Sequence, residues 1–530
     1  GTSLYTAEKI VFSSLFALQG FSMYYMMGAL FHGHPGARTA RLAGAFLYAF
    51  SFPVMAHFGR GNLMALLAYA LLPLLLALLK KGFDDQSRRW RYILMLSLLA
   101  FPLASVKGHP ADFLVIFLVT GFFILFHIAV SDRKTAWQII RFTSFASLAF
   151  VLVSLWWMVP NIFYLADFGL STGDLVNEGF YNIDILSYYS NGTSILKAFR
   201  NESLDLWFDL PSGILFNTHI YQSVFFILIG LFIPAMAFLS LLRPRIDRNV
   251  IFLSIIGLVA LFMFKGNHAP FGWVFERVYM SFPGFFLFRA PYRIFSILVA
   301  FSIAPLCALV LAAWIFAIRE GGAFTPPDHL PKRGHERWVI GHGAFKRFFI
   351  RVISAFFIFT AALYAWPVFT GAHMRERGTA REPGVFQNIP QSYYAAAGWV
   401  NGLKGDSKVY FPYEIYDANT TWGYNGPDPL FELIEAPKMV SRQGGTVYVR
   451  YQRPVEAINR VLRRWEYGDL NAVIGLHGAR HIVLHDDLNR WVMPDYNFNE
   501  YAESLFDSYG IEKKKDFGDV KVYENKAAVE

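Results

Sequence analysis

The chain is nearly devoid of cysteine: Cys307 is the single one among 530 residues, so no intrachain disulfide can form and the redox compartment cannot be read from cysteine usage. It is also poor in charge. Charged residues make up 16% of the chain against 55% hydrophobic and 18% aromatic, with a mean hydropathy of +0.35. Those proportions exclude a soluble globule of this length and point to a polytopic membrane protein with a soluble appendage. The sequence has no glycine-rich phosphate-cradling loop of the P-loop type and no nucleophile elbow, which argues against nucleotide-driven pumping. The net charge of +9 falls in short loops between apolar runs rather than in a basic stripe, so no nucleic-acid partner is expected. His485, Asp486 and Asp487 have metal-ligand side chains, but they follow a strand and read as a strand-end turn. No metal and no cofactor are expected.

What is present is a series of about ten apolar segments near the roughly 20 residues that span a bilayer. They lie at about 7–31, 40–56, 62–79, 91–106, 110–130, 141–160, 219–242, 249–264, 289–317 and 348–367, the second and fourth being short. Arg and Lys concentrate in alternate loops: Arg38 and Arg41, the run Lys80 to Arg91, Arg133 to Arg141, Arg243 to Arg248, and Arg319 to Arg351. The positive-inside rule makes those loops cytoplasmic. It follows that the N-terminus, the long loop 161–218 and everything beyond about residue 368 are expected outside, as an integral protein of a plasma or inner membrane. Three Asn-x-Ser/Thr triplets, at Asn191, Asn201 and Asn419, fall on that outer side, where glycosylation is expected if the host supplies it. The chain opens on Gly-Thr-Ser, with neither an initiator Met nor a signal-peptide pattern, and a segment upstream is expected.

Two domains are expected: a membrane domain over 1–367, with the cytoplasmic loop 319–347, and an outer α/β domain over 368–530. In the second, alternating β-branched residues predict strands at 408–415, 446–451 and 479–485 and a hairpin near 511–524. Helical periods appear at 391–403, 454–466 and 497–509. The Pro- and Gly-rich stretch containing Trp422, Tyr424 and Phe431 offers rings for a sugar or a protein partner, or else pins its own loop down.

The polar residues of the outer membrane edge form four short groups: His57 with Arg60; Lys107, His109 and Asp112; Lys265 with His268; and Arg289 with Arg293. The last pair is spaced four apart at a helix entrance, which puts both guanidinium groups on one face. Either the two arginines snorkel to the headgroups, or they form an anion site, because a guanidinium fork matches a phosphate. Cationic groups around one outer vestibule suit the phosphate of a lipid-linked substrate. Asp112, Asp167, Asp174, Asp184 or Glu276 then supplies a general base for an acceptor hydroxyl, and Asp112, His109 and Glu276 are the expected catalytic set. The carboxylates of the 161–218 loop, Glu202 among them, read otherwise as its solvated side.

The stretch RLAGAFLYAFSFPVMAHFGRGNLMALLAYALLPLLLALLKK, the segment WWMVPNIFYL, the stretch APFGWVFERVYMSFPGFFLFRAPYRI and the tail's GLHGARHIVLHDD ending in VKVYEN carry a likeness. Together they resemble the GT-C glycosyltransferase-like membrane proteins, in particular the YfhO-like and arabinofuranosyltransferase D-like group. That resemblance implies transfer of a sugar from a polyprenyl-phosphate donor to an acceptor on the outer face of the membrane, without a nucleotide sugar. It also implies a catalytic Asp or Glu in the first outer loop, and the chain opens beyond where that loop is expected. A noncatalytic subunit that uses the same scaffold to bind lipid or organise a complex is the alternative. Membrane lipids, a lipid-linked sugar and protein partners of the outer domain are the expected interactors.

Overall fold

The computed structural model of the protein describes residues 4–34, 36–59, 62–106, 109–167, 193–202, 223–242, 247–282, 285–319, 389–403, 408–414, 418–420, 425–426, 428–436, 438–442, 478–487, 506 and 511–526, with scattered positions between 183 and 190 and between 348 and 366. These divide into two compact units. One comprises Gly1–Ala166, Leu170–Leu206 and His219–Ala372; the other comprises Asp167–Gly169, Trp207–Thr218 and His373–Glu530.

The first unit is helical. Its helices are α1 (Leu4–Leu30), α2 (Ala37–Ala49), α3 (Phe52–Gly59), α4 (Leu63–Asp84), α5 (Arg89–Leu98), α6 (Ala100–Val106), α7 (Pro110–Ala129), α8 (Arg133–Asp167), α9 (Ile195–Arg200), α10 (Val224–Phe238), α11 (Arg248–Phe264), α12 (Gly272–Ser281) and α13 (Pro291–Arg319). Among the described residues, seven helical segments are long and apolar enough to cross a membrane, and the chain is an integral membrane protein. The shorter apolar helix Arg248–Phe264 joins them. The 40–56 segment is divided between α2 and α3: α2 is capped at Phe50, and after Ser51 the chain starts α3, whose first turn accommodates Pro53 because an N–H there has no helical partner. Most of 348–367 lies outside the described residues.

Helix α13 is the axis of this unit. An 18-residue stretch of its apolar span Pro291–Phe316 is buried throughout, whereas 39% and 22% of the matching stretches in α7 and α8 are buried. A helix apolar on every side belongs inside the bundle, while α7 and α8 turn side chains such as Leu125 and Trp156 to lipid. α13 packs on α2, α10 and α11, and α1 packs on α2 and α4. Loops assigned to one side by charge are found together. Asn249 donates to the Leu30 carbonyl at 2.9 Å, and His34 lies 3.5 Å from Asp247.

The second unit is built on a five-stranded sheet in the order β4-β1-β5-β7-β6, formed from β1 (Lys408–Glu414), β4 (Lys438–Arg442), β5 (Ala479–His485), β6 (Ile511–Asp516) and β7 (Val520–Asn525). The short β2 (Ala418–Asn419) and β3 (Asn425–Gly426) pair with each other. β1 runs parallel to β4 and β5, and β5, β7 and β6 are antiparallel neighbours. Helices α14 (Gln391–Asn401) and α15 (Pro429–Leu433) share a core with Val409, Phe411, Val483, Val520 and Val522. Strand 438–442 was not among those read from the sequence. The expected strand 446–451 and helix 454–466 lie outside the described residues, as does most of 497–509.

Candidate functional site

The expected outer-edge residues gather in two clusters of the helical unit. The first is centred on Tyr69, in the second turn of α4. Its hydroxyl is 3.0 Å from the Ser296 hydroxyl of α13, its carbonyl accepts from the Tyr48 hydroxyl at 2.7 Å, and the His57 ring lies 5.8 Å away. Asp112 is near enough for its charge to act on Tyr69. Asp112 stands in the first turn of α7, where the helix dipole favours a carboxylate, and its Oδ2 is 3.0 Å from His109 Nδ1 at the N-cap. The Asp112 side chain is 7% exposed and that of His109 24%. The result is a shielded carboxylate 3.0 Å from an imidazole that reaches the surface, with Nδ1 itself buried and outside hydrogen-bonding geometry, an arrangement able to take a proton from a hydroxyl.

One turn before Ser296 on α13 is Arg293, whose carbonyl accepts from the Ser296 hydroxyl at 3.0 Å. The Nε of Arg293 is buried with no hydrogen-bond partner. Arg289 is partly buried in the connection leading into α13, and Arg60 and Lys107 lie outside the described residues.

The second cluster is a hairpin-like turn between α11 and α12. Lys265 is 1% exposed, and its ammonium donates to the His268 carbonyl at 2.6 Å while lying 4.5 Å from the centre of the Phe262 ring. His268 Nε2 is 2.5 Å from the Ser190 carbonyl, and Thr193 donates to the Lys265 carbonyl at 2.9 Å. Asn267 Nδ2 donates to both Ser187 and Glu276, each at 3.1 Å. Lys265 through its carbonyl, Asn267 and His268 thus fasten residues 187–193, in the middle of the 161–218 loop, to this turn, and Glu276 braces Asn267. A Cβ on Gly272 would fall 1.8 Å from the Asn267 carbonyl oxygen, so the turn closes only on glycine. Gly272→Ala should therefore open it and lower thermal stability by about 1–3 kcal/mol, checked by the melting of purified protein against wild type.

Glu202 departs from its expected place. Read as part of a solvated loop, it is 4% exposed, 2.7 Å from the equally buried Arg200. Asn201 between them adopts φ 54°, the left-handed conformation that Asn tolerates at a helix C-terminus, and donates through Nδ2 to the Ser296 carbonyl at 3.1 Å. This corrects Asn201 as a glycan acceptor, since the folded chain buries and employs its amide. No sequence signal brought 200–202 to Ser296: the contact spans 95 residues.

In the second unit, Phe431 packs edge-on to Phe411 at 5.3 Å, against the sheet core. Trp422 and Tyr424 lie outside the described residues. His485, expected in a strand-end turn, is instead fully buried: its Nδ1 is 3.2 Å from Asp487, its Nε2 is 3.5 Å from Asp428, and Tyr393 donates to Asp487 at 2.8 Å. Burial alone would depress its pKa, but Asp428 and then Asp487 reverse this and raise it to about 9. No group of His, Cys, Asp and Glu suited to a metal occurs among the described residues.

The chain is thus a polytopic helical protein whose membrane helices carry buried polar side chains, among them Tyr69, Asp112 and Ser296. The family model described as alpha-(1->3)-arabinofuranosyltransferase, N-terminal GT-C domain, matches residues 9–530, and the chain belongs to that family. Cryo-EM structures of arabinofuranosyltransferase AftD from Mycobacteria share its fold. One has 16% identity and a TM-score of 0.54, with 99% of this chain and 34% of that one covered. A structure of a point mutant has 17% identity and a TM-score of 0.51, with 99% and 35% covered. The chain thus spans about a third of the length of these solved structures. No curated protein sequence matches it.

Proposed function

We propose that the chain is the membrane domain and an adjoining outer domain of a glycosyltransferase that moves a sugar from a polyprenyl-phosphate donor to a hydroxyl acceptor on the outer face of the membrane. Membership of the GT-C family supports the reaction class, and the names of the similar structures make arabinofuranose the sugar to try first. The observation that carries the reading is Arg293. A guanidinium Nε buried without an acceptor, one turn along α13 from the Tyr69–Ser296–Asp112 cluster, asks for an anion, and a lipid phosphate entering from the bilayer is the one this reaction offers. His109, beside Asp112, takes the proton of the acceptor hydroxyl as the new glycosidic bond forms and the polyprenyl phosphate leaves with its electron pair. Arg293, with Arg289, stabilises the charge on that leaving phosphate.

Binding of polyprenyl phosphate to the purified full-length protein tests the phosphate site. Arg293→Gln should weaken it about 10- to 100-fold, as expected for loss of a charge-assisted hydrogen bond, while the unphosphorylated polyprenol binds both proteins alike. Equal binding of the phosphate to both proteins counts against the site and in favour of snorkelling.

Sidedness follows from the loop charges. In a Cys307→Ala background, cysteine at position 407 should react with an impermeant thiol reagent in intact cells, while cysteines at positions 87 and 325 stay protected. The opposite pattern would place the chemistry on the cytoplasmic face.

A further inference from the structure

A cleft with about 560 Å³ of empty space, its mouth included, lies inside the helical unit where the α2–α3 break, the end of α9 and the middles of α10 and α13 meet. Its walls are apolar, formed by residues such as Phe50, Phe199, Ile233 and Ala304. One corner is polar. It holds Ser51, at the α2–α3 break, and Arg200 and Asn201, at the end of α9. Ala300, on another wall, is nine residues into α13, roughly 14 Å along the helix axis at 1.5 Å per residue, within the apolar span Pro291–Phe316.

Two atoms of this corner lack partners. Asn201 is 8% exposed, and with its Nδ2 given to the Ser296 carbonyl, its Oδ1 is left as a buried acceptor with no donor. The Ser51 hydroxyl is likewise buried and unpartnered. Leaving such groups unsatisfied in an apolar setting is costly, and in lipid no bulk water makes good the loss. The corner is also neutral, because Arg200 is matched by Glu202 at 2.7 Å. A phosphate would bring charge that nothing there balances. A hydroxyl both donates to the amide oxygen and exchanges a hydrogen bond with serine, and a hydrocarbon chain behind it fills the apolar walls.

We infer that this cleft binds a lipid alcohol, a hydrocarbon chain ending in a neutral hydroxyl head, with that head on Ser51 and Asn201. This site is separate from the phosphate site proposed above, and it stands or falls independently of sugar transfer. Prenols and acylglycerols share the chemistry and differ in the chain.

The test is saturation binding of tritiated farnesol to the purified full-length protein in detergent, with monooleoylglycerol, farnesyl methyl ether and farnesyl phosphate as competitors. Farnesol should bind at one site per chain, and the methyl ether, which cannot donate, should compete about fivefold or more weakly. Ser51→Ala should weaken farnesol by a similar factor at unchanged melting temperature, and Ala304→Phe, which fills the cleft, should abolish binding. Competition by monooleoylglycerol as strong as that by farnesol supports a hydroxyl site indifferent to the chain; weak competition supports an isoprenoid alcohol. Equal competition by ether and alcohol, tighter competition by farnesyl phosphate, or binding that survives Ala304→Phe would each overturn the inference. If Ser51→Ala does not fold, the comparison of alcohol and ether on the wild-type protein decides.

Discussion

Asp112→Asn should lower the rate of sugar transfer by 10²- to 10⁴-fold, the range a positioned general base contributes, with little change in donor affinity. The carboxylate lies 3.0 Å from the His109 ring, and its side chain is 7% exposed at the start of α7. Asparagine keeps the size but removes the charge beside His109. His109→Ala should fall into the same range, and the double variant should be no worse than the worse single one, because the two act as a unit. The split between rate and affinity separates this role from a structural one: kcat should fall while the KM for the donor and the melting temperature stay near wild type. A loss of activity matched by a loss of thermal stability would make Asp112 a packing residue.

The second large effect belongs to the sheet-containing unit. Asp487→Ala should destabilise it by about 3–5 kcal/mol, because it leaves a buried imidazolium with one carboxylate fewer and Tyr393 without its acceptor. His485→Leu should cost as much, since it leaves Asp428 and Asp487 facing each other without the charge between them. The pH dependence has a definite sign. The folded pKa of His485, about 9, is raised above the ordinary 6.5, so the stabilising contribution, about 3 kcal/mol, is complete below pH 6.5 and is lost as pH rises through 9. Thermal unfolding of the full-length protein, followed by proteolysis within 389–526 between pH 6 and 10, should show this unit weakening on the alkaline side. His485→Leu should remove that alkaline loss. An alkaline limb unchanged in the variant would assign it to other groups.

Much of the fold was legible because membrane helices and strands announce themselves locally. Continuous apolar length marked the spans, and alternation marked Lys408–Glu414 and Ala479–His485. The break after Phe50 was not resolved within the 40–56 run, since Pro53 sits among apolar residues that fit one helix as well as two. Of the candidate site, residue types drew attention to His57, His109, Asp112 and Arg293. Tyr69, Ser296, Asn201 and the Arg200–Glu202 pair carried no such signal. Tyrosine and serine inside apolar helices read as ordinary packing, and a loop carboxylate such as Glu202 reads as solvated until a distant contact, here that of the neighbouring Asn201 with Ser296, carries it out of water. His485 was misread for the same reason, because Asp428 lies 57 positions upstream.

The most direct test of sugar transfer at the Asp112 and Arg293 site uses purified full-length protein in sealed lipid vesicles, supplied with polyprenyl-phosphate-linked arabinofuranose labelled in the sugar and a hydroxyl acceptor glycan. The label should pass to the acceptor without added nucleotide sugar, and Asp112→Asn should reduce that transfer at least 100-fold while polyprenyl phosphate still binds. Transfer at the wild-type rate by Asp112→Asn, or transfer only from a nucleotide sugar, would contradict it.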